Sequence, residues 1–223
     1  MRSLCTASLF LSFGVACAQQ PKPEPAQVSP VTDVTTTGAL AEADVPADWM
    51  PAVERGNTAI RAFGRQLRER LMAEMKAGGP SQAIGVCRDE AQPITRQIAQ
   101  AHRLKLGRTS LKLRNADNAA PGWLEPYLKE VWGRPADQVD VRVFDLETAV
   151  GVARPIPMGS ACVKCHGSAE NIDPQVKAVL AEAFPGDQAT GFEPGQLRGL
   201  FWAEVPKVDA PQLPTSMPTK PIP

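Results

Sequence analysis

The chain has 223 residues, and its 24 lysine plus arginine residues balance 24 aspartate plus glutamate residues, so the formal net charge is zero. This length suits one domain of ordinary size with tails, and the charge balance gives no support to nucleic acid or an anionic membrane as a partner. Only two histidines occur, His102 and His166. Any site that needs several imidazoles is therefore excluded.

Residues 1–18 have the pattern of an export signal. Arg2 precedes a short apolar run at residues 9–15, and Ala16-Cys17-Ala18 has the small residues that a signal peptidase recognises. The run is too short to anchor the chain across a bilayer. We therefore predict cleavage after Ala18 and a periplasmic protein. The alternative is a lipoprotein whose lipid anchor is attached to Cys17. Both patterns overlap on the same residues, and both imply export.

Two proline-rich segments flank the region that we expect to fold. Residues 19–48 are rich in proline and contain no aromatic residue, so they are predicted to form a flexible tether. The segment 206–223 has the same composition and is predicted to be a disordered tail. The folded domain is then expected at residues 49–205.

The first half of this domain has the spacing of helices. Apolar residues recur at steps of three, four and seven over residues 52–77, and Gly78-Gly79-Pro80 is predicted to end that helix. A second helix should begin near Ser81 and carry an apolar stripe from Ile84 through Cys87 to Ile98. Pro93 lies inside this stripe. Because proline removes a backbone donor, we expect a kink about one turn after Cys87.

The second half is richer in strand patterns. Strands are predicted at residues 105–113, 139–144 and 197–205, and residues 150–153 are expected to form a hairpin with the second of these. A loop is predicted at residues 114–122 and helices at 123–132 and 174–184. Helices followed by a mixed, strand-rich part indicate an α+β domain.

Cys162-Val163-Lys164-Cys165-His166 has the C-x-x-C-H pattern of c-type haem attachment. Residues three apart share one face of a helical turn, so both thiols can add to the two vinyl groups on one porphyrin edge. His166, the next residue, is then placed to bind the iron from the proximal side. Gly167 follows and relieves crowding. We predict one covalent haem c.

Three other roles of these cysteines compete with haem attachment. A structural zinc site needs four ligands, and no second C-x-x-C pair is present to complete it. A redox dithiol of the thioredoxin type normally follows a strand within a βαβ unit, which the predicted elements lack. A disulfide across two intervening residues would be strained. Haem attachment remains the best interpretation in an exported chain.

Several residues are candidates for the second axial ligand of the iron. They are Cys87, His102, Met158, Met72 and Met75. The two helix methionines fit core positions, Met158 lies too close to Cys162 in sequence, and His102 ends a polar stretch. Cys87 would usually be a small buried residue. If Cys17 leaves with the signal, however, Cys87 is a lone thiol in an oxidising compartment, which favours a role.

Four segments together resemble a family of bacterial c-type haem domains with a PAS-like fold, also found as sensory domains of signalling proteins. They span residues 83–87, 107–118, 162–167 and 195–201, in the expected order. The resemblance implies an antiparallel sheet with flanking N-terminal helices. It also implies His166 as the proximal ligand and Cys87 as the distal ligand. Ala116 stands where the family usually has proline.

Arginines near these segments are candidates for binding the haem propionates, because a guanidinium pairs well with a carboxylate. We consider Arg108 and Arg114, with Arg154 as a weaker candidate. The alternative for each is a structural ion pair or cap. Both interpretations stay open at this point.

Three functions follow from a haem domain of this kind. The first is a module that responds to redox state or to a diatomic gas, acting through an unknown protein partner. The second is a periplasmic electron carrier. The third is an enzyme such as a peroxidase, which needs an open iron position and a distal acid or base. The scarcity of histidines argues against an enzyme, so we expect no catalytic residues.

Overall fold

The computed structural model describes residues 38–207. Its architecture is α+β, as predicted, with one five-stranded antiparallel sheet in the order β1-β3-β4-β5-β2. The strands are β1 (Ala39–Ala41), β2 (Lys105–Thr109), β3 (Arg142–Asp145), β4 (Ala149–Pro157) and β5 (Leu197–Pro206). The helices are α1 (Met50–Gly85), α2 (Ala91–His102), α3 (Glu125–Val131), α4 (Val163–His166) and α5 (Pro174–Ala183). The PAS-like character of this sheet stays a prediction.

Alternating side chains divide the sheet into two apolar faces. Val143 and Phe144 are adjacent on β3, yet they belong to different buried clusters, and Val152 and Ala153 do the same on β4. This is the period of two that a strand imposes. Helices α1 and α2 cover one face and form the helical core, which includes Phe63 at 0% exposure. Helix α3 covers the other face.

Helix α1 changes direction where the sequence predicted its end. Gly79 has φ 78° and ψ −170°, and Pro80 follows it, so the backbone leaves helical geometry for one residue and then resumes. Only glycine adopts this region of backbone space at little cost. The Gly-Pro pair therefore produces a kink in a continuous element, instead of the separate helix expected to begin near Ser81.

The helix is irregular before Pro93, and not at the proline where the kink was expected. Residues Val86–Glu90 form a π-helical turn, the π segment, in which the Ala91 N–H donates to the Val86 carbonyl. Pro93 falls in the first turn of α2, where a missing backbone donor is tolerated. The widened turn takes up the irregularity before the proline ring is reached. Cys87 consequently lies inside the irregular turn itself.

A further difference from the predicted elements lies outside the helices. Strand β1 pairs with β3 through Ala39 and Phe144, although it lies within the segment predicted as a tether. A three-residue strand of alanine and leucine has too little pattern to be recognised. The predicted signal at residues 1–18 and the tail beyond residue 207 lie outside the described residues. Within residues 38–207, no helix is long and apolar enough to cross a bilayer.

Candidate functional site

The C-x-x-C-H segment forms a single helical turn. The backbone N–H groups of Cys165 and His166 donate to the Cys162 carbonyl at 3.1 and 3.0 Å. The turn ends at Gly167, whose N–H donates to the Val163 carbonyl at 2.8 Å. A Cβ at Gly167 would lie 2.5 Å from that carbonyl oxygen, so this position requires glycine. The C-x-x-C-H segment therefore forms the helical turn that its spacing indicated, whereas relief of crowding against a haem by Gly167 stays a prediction.

The imidazole of His166 is held by a backbone carbonyl. Its Nδ1 lies 2.7 Å from the Ala189 oxygen, which places the ring proton on Nδ1 and makes Nε2 the nitrogen that could bind a metal. In this structure that Nε2 faces Arg114 Nη1 at 3.5 Å. Burial lowers the pKa of His166 well below its usual range, and Arg114 and Arg198 lower this pKa further. The ring is therefore neutral at pH 7, as a metal ligand must be.

Asp187 positions the loop that supplies this carbonyl. Its Oδ1 accepts the Ala189 N–H at 2.7 Å, and its Oδ2 accepts Arg114 Nε at 2.9 Å. The two side chains of this ion pair are only 10% and 8% exposed. Arg114 Nη2 also donates to the Cys165 carbonyl, and Nη1 lies 3.5 Å from His166 Nε2. The Arg114–Asp187 pair thus connects both sides of the C-x-x-C-H turn.

Cys87 is brought to the same place by the π segment. Five buried residues of α1, α5 and the flanking loops form the motif cluster, and the half-buried Cys87 and Cys165 pack against it. Burial raises the pKa of the Cys165 thiol. The members of the motif cluster are Ile84, Ile172, Val176, Leu180 and Phe184. Cys87, Cys162 and Cys165 are all free thiols.

The other candidate ligands do not join the motif cluster. Met72 is 45% exposed on α1, so the core position expected for it is wrong, and His102 occupies the last turn of α2. Met158 is buried, but its backbone is tied to Gln196 and Gly195 in a loop. Across residues 38–207, no group of three or more His, Cys, Asp or Glu is close enough to hold a metal ion, so the four ligands of a zinc site are not gathered there.

The arginines differ in how they are bound. Arg114 is engaged by Asp187, and Arg154 Nη2 donates to Asn57 Oδ1 at 2.9 Å, on the side of the sheet that α1 covers. Arg108 lies close enough to Cys87 and Arg114 for their charges to act on it, and burial lowers its pKa. The propionate role of these three arginines stays a prediction.

Sequence reasoning missed two functional side chains of this site. Arg198 lies within the fourth family-like segment, but its role could not be assigned from the pattern. Asp187 precedes Ala189 by two residues, a spacing typical of a turn in which aspartate accepts a backbone N–H. That signal predicts the turn. It cannot predict that the turn's carbonyl binds the His166 ring, because the turn and His166 lie 21 or more residues apart in sequence.

The residues present fit a c-type haem. Two free thiols three residues apart lie on one helical turn, and the following histidine is neutral with its Nε2 lone pair available. The positive charges of Arg108, Arg114 and Arg198 lower the pKa of this histidine. The carboxylate of Asp187 raises the pKa of Arg198. These are the donors that a covalently attached, negatively charged tetrapyrrole requires.

Comparison with known proteins agrees with this architecture. The crystal structure of the cyanobacterial heme-protein Tll0287 matches with a TM-score of 0.52 and 21% identity, covering 74% of this chain and 99% of that protein. At this identity the match shows a shared fold alone. No curated protein matches the chain by sequence. The Tll0287-like family model matches residues 31–206, which is most of the chain. The chain therefore belongs to the Tll0287-like family.

Proposed function

We propose that this chain is an exported protein that carries one haem c, attached through Cys162 and Cys165 and bound at the iron by His166. The observation that carries the proposal is the Nδ1 hydrogen bond of His166 to the Ala189 carbonyl, because it presents a neutral imidazole with Nε2 available. A matching structure of the same fold belongs to a protein described as a heme-protein. The family resemblance in the sequence points to the same cofactor.

We propose Cys87 as the second axial ligand. It is half-buried, it packs on the same motif cluster as Cys165, and it lies in the π segment. When bound, the haem supplies a one-electron redox centre whose ferric state favours an anionic thiolate more than its ferrous state does. The π segment gives Cys87 a turn that is less regular than the helices on either side, and such turns are frequent at functional sites.

The role that we favour is a module responding to redox state or to a diatomic gas. Cys87 connects directly to α1 and α2, so a change in its bonding acts on helices that cover one whole face of the sheet. A periplasmic electron carrier is the alternative, because a carrier needs the same cofactor with ligands that stay in place. In the ferric state His166 and Cys87 would together leave no open position at the iron, so we propose no catalytic activity. Weaker binding of Cys87 in the ferrous state would admit a gas.

Covalent attachment is tested by mass spectrometry. The chain is produced in a bacterial host that has the cytochrome c maturation system, and the denatured protein should carry one added haem mass. The pyridine haemochrome should be of the two-thioether type, and Cys162→Ala should shift it to the single-thioether type. The mass of the mature chain and its cell fraction also test cleavage after Ala18 against lipidation at Cys17. A chain without added haem would contradict the proposal.

The role of Cys87 is tested by substitution. Cys87→Ala should keep the covalent haem, change the ferric absorption spectrum from low spin towards high spin, and raise the reduction potential. Met72→Ala and His102→Gln are matched controls that should leave the spectrum unchanged. An unchanged spectrum in Cys87→Ala would make Cys87 a packing residue only.

Exposure of the reduced protein to carbon monoxide and nitric oxide then separates the two roles. A ligand-responsive module should bind at least one of these gases in the wild type. Binding of neither gas, together with a changed Cys87→Ala spectrum, would favour the electron carrier.

A further inference from the structure

Two arginines of the site have no carboxylate partner within residues 38–207. Arg198 Nη1 donates to the Lys112 carbonyl at 3.2 Å, and its guanidinium lies 5.2 Å from the centre of the Phe192 ring. The Arg108 side chain makes no hydrogen bond or ion pair with any described residue. Both side chains are half-buried. Guanidinium groups in such positions are normally paired, because burying a charge alone is costly.

The two arginines lie near one another and near the C-x-x-C-H turn. The pKa of Arg198 is lowered to about 10, first by burial and then by the charges of Arg114 and Arg108. The same three cations act on His166, which is edge-on to Phe192 at 6.5 Å between ring centres. Phe192 therefore lies close to both Arg198 and the histidine.

The charge of this region is not balanced by the chain itself. Asp187 is the carboxylate whose charge raises the pKa of Arg198, and it is already bound to Arg114 through Nε. Arg108 and Arg198 remain as two positive charges in need of two negative ones. A haem carries two propionate carboxylates, and each carboxylate can accept two parallel N–H bonds from one guanidinium.

We propose that Arg108 and Arg198 together bind the two carboxylates of the tetrapyrrole, and that Arg114 is held back from them by Asp187. This inference rests on the proposed haem function. It adds Arg198 to the site and assigns Arg114 to positioning. The β2 and β5 strands that carry Arg108 and Arg198 are hydrogen-bonded neighbours, so both arginines belong to one rigid part of the sheet.

The test separates carboxylate recognition from haem uptake. Covalent attachment is first removed by the double substitution Cys162→Ala and Cys165→Ala in the full chain, which serves as the parent. Haem and haem dimethyl ester, in which both carboxylates are masked, are then titrated into the parent and into versions with Arg198→Gln, Arg108→Gln, Arg114→Gln or Arg198→Lys. Arg96→Gln, at an exposed position of α2, is the control.

We expect the parent to prefer haem over its ester. Arg108→Gln and Arg198→Gln should each weaken haem binding by about 10-fold, the value of one charge-assisted hydrogen bond, and should leave ester binding unchanged. Arg198→Lys should recover part of the loss, because lysine keeps the charge without the planar fork. Arg96→Gln should behave as the parent.

Three results would overturn the inference. They are equal affinity of the parent for haem and ester, an equal loss for both ligands on substitution, and a loss confined to Arg114→Gln.

In the covalently loaded wild type, Arg198→Gln should also lower the reduction potential, because removal of a cation favours the ferric state. Variants that carry covalent haem but fail these tests reject the carboxylate site and leave the proposed function intact. A wild type without covalent haem rejects both.

Discussion

The helical core and the motif cluster are both apolar, yet they differ in size and in how completely they are closed to solvent. The helical core joins α1, α2 and four strands, and its largest side chains are sealed from solvent. The motif cluster has five buried members and is bordered by two half-buried cysteines. A large, dry core is stable on its own, whereas a small cluster gains much from links outside it. The comparison teaches that the site depends on the Arg114–Asp187 pair as well as on apolar burial.

The largest effect is expected in the helical core. Phe63 is fully buried and meets Phe201 edge-on, with ring centres 5.5 Å apart. Phe63→Ala should reduce the free energy of unfolding by about 3–5 kcal/mol, because it leaves a cavity that rigid neighbours cannot fill. Urea denaturation measures this loss. Met72→Ala, at an exposed position of the same helix, should change stability by less than about 0.5 kcal/mol. If both variants lose equally, the helical core is not the main source of stability.

A somewhat smaller loss is expected at the ion pair that supports the site. Asp187→Ala removes the acceptor of both Arg114 and the Ala189 N–H, and leaves a buried guanidinium without its partner. We expect about 3 kcal/mol less stability. The loss of the anchored carbonyl should also change the reduction potential of the loaded protein, which a purely structural residue would leave unchanged. Gln188→Ala, at the exposed position between the two, is the control.

The motif cluster itself should be less costly to damage than the helical core. Leu180 is 4% exposed on α5, close to both cysteines. Leu180→Ala should cost about 2 kcal/mol, the low end for such changes, because the neighbouring loops can close on the space. Unlike Phe63→Ala, it should also alter the absorption spectrum of the loaded protein. A spectrum unaffected by Leu180→Ala would separate this cluster from the haem.

The smallest effect tests the opposite face of the sheet, through alkaline pH. Burial raises the pKa of Tyr127 to about 12, and its hydroxyl donates to the Asp140 carbonyl at 3.3 Å. Because the folded pKa lies above the unfolded value of about 10, this contribution to stability is complete below pH 10 and is lost as pH rises towards 12. Tyr127→Phe should remove that part of the pH dependence.

The experiment has a specific readout, since the chain contains one tyrosine. Absorbance of the phenolate should rise only near pH 12 in the folded protein. A rise near pH 10 with the protein still folded would show that Tyr127 is solvated.

Long, strongly patterned elements were predictable from the sequence. Helix α5 and strand β5 were predicted to within one residue at each end, because their apolar spacing and their flanking residues agree. The helical turn that carries Cys162, Cys165 and His166 also agrees with their spacing in the sequence. The haem chemistry of these three residues stays a proposal.

What the sequence could not predict depends on distant parts of the chain. The carbonyl that holds His166 belongs to Ala189, and its loop is fixed by Arg114 from β2's following loop. Arg114 was considered for propionates because an isolated arginine gives no sign of its partner. The π segment was also missed, because the spacing of apolar residues does not show whether the backbone bonds join residues four apart, as in an α-helix, or five apart, as in a π-helix.

The π segment can be considered as an insertion of one residue into an otherwise regular helix. Each added residue turns an α-helix by about 100°. If the same residues took regular α-helical bonding instead of the widened turn, everything before the π segment would be rotated relative to α2 by that angle. The stripe of α1 and the stripe of α2 would then no longer face the same sheet. The widened turn therefore keeps two helices in phase on one surface while it presents the Cys87 sulfur at their junction.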